Sequence, residues 1–261
     1  MRRVAHTHEL EVDGRLVRKR YTSWSRDEHR REWSVLQRVH RHCPGLGPEP
    51  ISADLLADPP VVTMTVIDGE PLAGVLSPQE TKCLAVAITT LWSVSQAGPP
   101  ALDAWRDDLG YAQKLVRSPW PDADGDVAAA REAALQWWRG PDPVLLRQPP
   151  TLTVLGHGDP NLSNYLWDGR RVRIVDFEDA GISDPAAELA RLAEHLSARS
   201  LDVDSFCARF EVDPIRLRAA RRVWAMFWLW LFRPGGPAES RNPPGTANAQ
   251  ARRLLELLSE P

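Results

Sequence analysis

At 261 residues the chain is long enough to bury a full core and to divide into two lobes. A net charge of −3 gives no reason to expect nucleic acid or an anionic membrane as partner. Three widely spaced cysteines (Cys43, Cys83, Cys207), no apolar run behind Arg2 and Arg3, and an apolar stretch, Val223 to Phe232, too short to span a bilayer argue against a disulfide frame, a zinc site, a secretory signal and a membrane anchor, and fit a cytoplasmic location.

Glu9-Leu10-Glu11-Val12, a turn at Asp13-Gly14, and Arg15 to Tyr21 read as a hairpin. Strand side chains alternate, so Val17, Lys19 and Tyr21 share one face. Lysine occurs only at Lys19, Lys82 and Lys114 against a background of arginine, which singles out Lys19. On pattern alone it is equally a solvated edge-strand lysine. Ser25 then opens a helix from Arg26 to His42, with Trp33, Leu36 and Val39 at helical spacing and Pro44-Gly45 ending it. Glu28 and Glu32 lie on that helix as candidates to pair with Lys19. A further strand region begins at Pro48-Glu49-Pro50-Ile51, and Pro60 to Ile67 is a β-rich run closed by Asp68-Gly69-Glu70-Pro71-Leu72.

From Ser77 the chain reads as largely helical: Pro78 to Gln96, Asp103 to Val116 and Asp124 to Trp138, separated by Pro/Gly-rich loops. The sharpest motif comes next, His157-Gly158-Asp159-Pro160-Asn161-Leu162-Ser163-Asn164, followed by Ile174-Val175-Asp176-Phe177. One carboxylate, an amide five residues on and a second carboxylate ending an apolar strand form the set that phosphoryl transfer requires. Asp159 can accept or orient the proton of an attacking hydroxyl, and Asn164 and Asp176 supply hard oxygens for Mg²⁺. Asn164 to Trp167, a turn at Asp168-Gly169, and Arg171 to Val175 read as a hairpin that would bring Asn164 and Asp176 beside one ion. The plain alternative is a turn-capping Asp159 and a chance Asp176 at a strand end. Helices are expected from Asp184-Pro185 to about Arg199, over Pro214 to Phe232, and from about Thr246 to Leu258. Trp224 and Trp228 stand four apart with Leu231 next on that face, which reads as core packing before a cation–π box. The sum is an α+β chain with a small β-rich N-lobe (residues 1–70) and a large, mostly helical C-lobe (71–261).

The HGDxxxxN loop followed by an Asp-Phe strand resembles the aminoglycoside phosphotransferase and choline kinase branch of the protein-kinase-like fold, with Gly158 and Glu178 where protein kinases carry Arg and Gly. The resemblance runs from about Leu16 to Leu196, its sharp motifs confined to Gly156 to Pro185. It implies Asp159 as the catalytic carboxylate, Asn164 and Asp176 as metal ligands, and Lys19 as the phosphate-contacting lysine, with Arg18 or Arg20 as alternates. It implies Glu32, in Arg31-Glu32-Trp33-Ser34-Val35-Leu36, as the partner of Lys19, and backbone near Thr65 to Ile67 as the purine-binding hinge. His157 is expected to brace the loop, and Asp184 to start a helix. Glu178 and Asp179 read as solvated loop charge or, alternatively, as groups facing a polycationic acceptor. No glycine-rich phosphate-covering loop precedes Glu9, where only Ala5-His6-Thr7-His8 is available, so the N-lobe is expected to be abbreviated.

The expected activity is Mg²⁺-dependent transfer of the γ-phosphate of ATP or GTP to a hydroxyl of a small molecule, with an antibiotic such as an aminoglycoside, and hence antibiotic resistance, as the preferred subset. The alternative is a non-catalytic nucleotide- or ligand-binding protein on the same fold. A metallohydrolase lacks the clustered histidines such sites favour.

Overall fold

A computed structural model describes residues 8–96, 104–121 and 123–260. In chain order the elements are β1 (Glu9–Asp13), β2 (Leu16–Arg20), α1 (Glu28–His42), β3 (Pro50–Asp54), β4 (Val61–Thr65), β5 (Glu70–Pro71) and α2 (Pro78–Trp92). There follow α3 (Ala104–Arg117), α4 (Gly125–Trp137), α5 (Asp142–Arg147), β6 (Val154–Gly156), β7 (Tyr165–Trp167), β8 (Val172–Ile174) and β9 (Gly181–Ser183). The last are α6 (Pro185–Glu194), α7 (Val203–Cys207), α8 (Pro214–Phe232) and α9 (Thr246–Ser259).

The chain forms two compact units. The first joins residues 1–102 to 154–182 and 200–210, so the segment bearing the HGDxxxxN motif sits with the N-terminal sheet. Its main sheet is antiparallel in the order β1-β2-β4-β3, and β5, β7 and β8 form a second. In β2 the expected alternation holds: Lys19 is buried between exposed Arg18 and Arg20, and Tyr21 beyond it is fully buried. The register sets Lys19 opposite Val62 of β4.

Helix α1 begins at Glu28, two residues later than its spacing suggests, because Asp27 takes left-handed backbone (φ 60°) and cannot continue a helix toward Arg26. Its inner stripe is Glu32, Val35, Leu36 and Val39, the i, i+3, i+4, i+7 pattern of one face. One member of that stripe is a carboxylate. Glu32 is fully buried, an expense that makes sense only with partners. Helix α2 stops at Trp92, short of Gln96, and starts with a capping box in which Ser77 and Glu80 satisfy each other's backbone amides. The β7–β8 hairpin turns at Asp168-Gly169 as expected. The Asp168 carboxylate accepts from the amides of Arg170 and Arg171, both at 2.9 Å.

The second unit holds residues 103–153, 183–199 and 211–261. Helix α8 is its centre, with α3, α5, α6 and α9 packed on it. Asp184 caps α6 by accepting from the Ala186 amide at 2.9 Å, and also meets Nε of buried Arg216 at 2.5 Å. Trp224 is buried beneath Arg191, and Trp228 stacks on Phe232 at 5.6 Å. These rings serve packing, as their spacing suggests. The short α5, α7, β5, β6 and β9 were not foreseen, since two to six residues carry too little periodicity to read. Ala5-His6-Thr7 lies outside the described residues. No helix among the described residues is long and apolar enough to cross a membrane.

Candidate functional site

A cavity of about 400 Å³ in the first unit is lined by Lys19, Glu32, Thr65, Ile67, Asp159, Asn164 and Asp176, all seven residues singled out from the sequence. Strand β2 presents Lys19, α1 presents Glu32, β4 and its exit present Thr65 and Ile67, and the segments flanking the β7–β8 hairpin bring in the rest.

Lys19 Nζ lies 2.7 Å from Glu32, 2.5 Å from Asp176 and 2.7 Å from Glu178. Of the two α1 glutamates, Glu32 takes the lysine, while Glu28 pairs with Arg26 at 3.0 Å. Glu32 also accepts from the Tyr21 hydroxyl and, at 3.2 Å, from the Phe177 amide. A fully buried carboxylate is thereby supplied with a cation and two neutral donors. Burial works against the charge of Lys19, but the three carboxylates override it and hold the ammonium well above the usual lysine range. Burial likewise opposes charge on Asp176, and Lys19 overrides it, keeping that carboxyl below its ordinary value.

Glu178 is the residue the sequence reading misplaced. It is not a solvated loop charge: it is buried, lines the same cavity, and lies beside Lys19 and 2.8 Å from His8 Nε2. Burial first, then the nearby Asp176 and Glu32, push its carboxyl up to about 7 despite Lys19. His8 was also missed. Burial and Lys19 hold its imidazole below the ordinary histidine range. No local pattern marked Glu178, because β8 ends at Ile174 and the left-handed Asp176 breaks the strand alternation that would have placed it. Asp179 points elsewhere, to Arg26 at 3.1 Å and Arg31 at 3.8 Å.

The catalytic-loop segment is held by its own polar groups. The Asp159 carboxylate accepts from the Asn161 amide at 3.1 Å through one oxygen and from Asn164 Nδ2 at 2.9 Å through the other. Asn164, its amino group engaged this way, lines the same cavity as Asp176. His157 lies between two backbone carbonyls, Nδ1 at 2.6 Å from Asp159 O and Nε2 at 2.8 Å from Val175 O, so it ties the loop to the strand before Asp176. Gly158 has φ +83°, and a Cβ there would lie 1.9 Å from the Asp179 carbonyl oxygen. No other residue type fits at that position. Asp176 itself takes φ 67°, a left-handed conformation costly outside glycine.

At the β4 exit, the Thr65 amide donates to Glu49 O at 3.0 Å and the Val66 amide to Arg15 O at 2.8 Å. The Ile67 amide has no partner among the described residues. Of the backbone amides from Thr65 to Ile67, it is the one left for a ligand.

Carboxylate oxygens of Glu32, Asp176 and Glu178 lie within 4.8 Å of one another. With all three ionised against the single ammonium of Lys19 the cluster carries a charge of −2 (three less one), and every donor is a hard oxygen. That set fits Mg²⁺ and offers nothing to a softer metal.

A sequence model of the phosphotransferase enzyme family matches residues 5–225. The chain belongs to that family. Among solved structures, a choline/ethanolamine kinase family protein from Mesorhizobium loti superposes with TM-score 0.66 at 18% identity, over 99% of this chain and 87% of that one. The aminoglycoside phosphotransferase APH(4)-Ia gives 0.67 at 18% identity, over 95% and 87%. Choline kinase LicA from Streptococcus pneumoniae gives 0.65 at 13% identity, over 97% and 89%. At such identities these likenesses establish the protein-kinase-like fold, α+β with a small antiparallel sheet region and many helices, and nothing finer. Other solved relatives of this fold are complexes of APH(4)-Ia variants with ADP or AMP-PNP and hygromycin B, and of APH(2")-IIIa with GDP and kanamycin. No curated protein matches the sequence.

Proposed function

We propose that this protein transfers the γ-phosphate of a nucleoside triphosphate, ATP or GTP, to a hydroxyl of a small molecule. The observation that carries the reading is the convergence of Lys19, Asp159, Asn164 and Asp176 on one cavity from segments more than a hundred residues apart in sequence. Phosphoryl transfer through a loose transition state asks for positioning and charge stabilisation more than for covalent chemistry, and these groups supply both.

In this reading Asp159 orients the acceptor hydroxyl and takes its proton. The carboxylate is held in place by the Asn161 amide and the Asn164 side chain, so its lone pairs point in a fixed direction before the acceptor arrives. Asn164 and Asp176 are the groups that would hold Mg²⁺, with Glu178 beside them; the ion would neutralise charge on the phosphates. Lys19, braced by Glu32, contacts the phosphates, and the Ile67 amide meets the nucleobase. The acceptor is a small molecule with a free hydroxyl, and antibiotics such as aminoglycosides head the panel because relatives of this fold are solved with hygromycin B and kanamycin.

The deciding experiment follows labelled γ-phosphate from ATP and, separately, GTP into a panel of aminoglycosides, other antibiotics, choline and sugars, with Asp159→Asn as blank. A labelled product absent from the blank supports the kinase reading and names the acceptor class. No product from either nucleotide, together with no nucleotide binding by calorimetry, would transfer support to a non-catalytic binding protein.

A further inference from the structure

A second cavity of the first unit lies apart from the first. It measures about 530 Å³ and opens between the end of α1, one face of α2 and the β7–β8 turn. Its lining includes Leu46, Val86, Ala87 and Val172, an apolar bed, and its ionisable nitrogens come from His42, Lys82, Arg170 and Arg171. Among the described residues no carboxylate lines it. Among the described residues neither Lys82 nor Arg170 has an acidic partner, and Arg171 reaches only Asp168, at 3.5 Å. Three permanent cations thus gather around an apolar hollow in a chain whose net charge is negative. Among the described residues the Asp168 carboxylate beside Arg171 is the one acidic group that offsets their mutual repulsion. A concave apolar surface with a few convergent charged groups is the general form of a small-molecule site.

We propose that this cavity binds an amphipathic organic anion, its apolar body seated on Leu46, Val86 and Val172 and its carboxylate or phosphate head held by Lys82, Arg170 and Arg171. The two arginines offer planar donor arrays suited to such heads, and Lys82 adds a point charge. The site is separate from the nucleotide cavity, with no lining residue in common. Its walls are nonetheless shared structure: Leu46 O accepts from the Ile174 amide at 2.8 Å, two residues before Asp176. Gly47 packs so closely on Phe177 that a Cβ would lie 2.9 Å from its ring.

Two thiols report on occupancy. Cys43 and Cys83 both line the cavity, their Sγ atoms 3.6 Å from Thr90 O and 3.7 Å from Arg170 O, whereas buried Cys207 lies outside it. The test uses octyl phosphate and octanoate as probes, octyltrimethylammonium as the control of opposite charge, and the intact protein. Alkylation of each cysteine by N-ethylmaleimide is followed by peptide mass spectrometry, and probe affinity by calorimetry. The expected result is that the anionic probes slow labelling of Cys43 and Cys83, leave Cys207 unchanged, and are not imitated by the cationic probe. In the exposed double variant Lys82→Glu/Arg170→Glu, affinity for octyl phosphate should fall about tenfold or more, a difference readily resolved in a dissociation constant. Equal protection by the cationic probe, no protection by the anions, or an unchanged affinity in the double variant would each overturn the proposal. None of these readouts depends on nucleotide transfer, so a failed kinase assay leaves the test intact.

Discussion

Lys19 is buried among three carboxylates, and its removal should affect stability and ligand binding together. Lys19→Met leaves Glu32, Asp176 and Glu178 without their cation, and breaking a buried ion pair in this way costs about 3–5 kcal/mol. The loss should appear as a lower urea midpoint with an unchanged slope. Measured well above neutral pH, where Glu178 is ionised, adding Glu178→Gln should return part of it, because one of the unpaired charges is then gone. A fully additive double variant would show that Glu178 and Lys19 are not coupled. For Asp159→Asn the expectation runs the other way. The side chain is held by hydrogen bonds an amide can partly keep, so folding and nucleotide binding should persist while transfer falls by about 10²–10⁴-fold. Retention of most of the wild-type turnover would remove Asp159 from the centre of the reaction.

Elements fix where these residues stand. The loop through Gly158 folds against the Asp179 backbone, and Gly158→Ala forces both a positive φ on alanine and a contact of 1.9 Å. The backbone term alone is about 1–2 kcal/mol, and the clash must be relieved by moving Asp159 or Asp179. Transfer should be lost with little change in far-ultraviolet circular dichroism; normal activity in this variant would mean that the loop has room the structure does not show. In the second unit, Asp184→Ala removes the α6 cap and leaves Arg216 buried without its carboxylate. That change should cost about 3–5 kcal/mol by denaturant unfolding. A value near 1 kcal/mol, typical of a lost cap alone, would mean that the carbonyls of Leu145, Leu146 and Gln148 already satisfy Arg216. At this scale the long periodic elements were legible: β2, α8 and α9 lie where their patterns put them. The start of α1 was not, because a single left-handed Asp27 decides it and aspartate carries no strong signal for that conformation.

The whole molecule should respond to its ligands as a phosphotransferase does. Nucleotide with Mg²⁺ at about a hundred times its dissociation constant stabilises by ~2.7 kcal/mol, which for a chain of this size raises the midpoint of thermal unfolding by about 5–10 °C. Chelation of the metal should abolish most of that shift, and in Asp176→Ala the nucleotide effect should no longer depend on Mg²⁺. An identical shift with and without metal would argue against Asn164 and Asp176 as the ion's seat.

By itself the sequence determined the chemistry on offer: the Asp159 to Asn164 spacing, the strand ending in Asp176, and the isolated Lys19 on an alternating strand are local patterns, and local patterns survive in one dimension. Tertiary structure decided which of those groups meet. That Glu32 rather than Glu28 takes Lys19, that Glu178 turns inward beside it, and that Lys82, Arg170 and Arg171 surround a second cavity are facts about segments distant in the chain. No spacing encodes such meetings, because burial and proximity, which set the cost of a charge, exist only once the chain has folded.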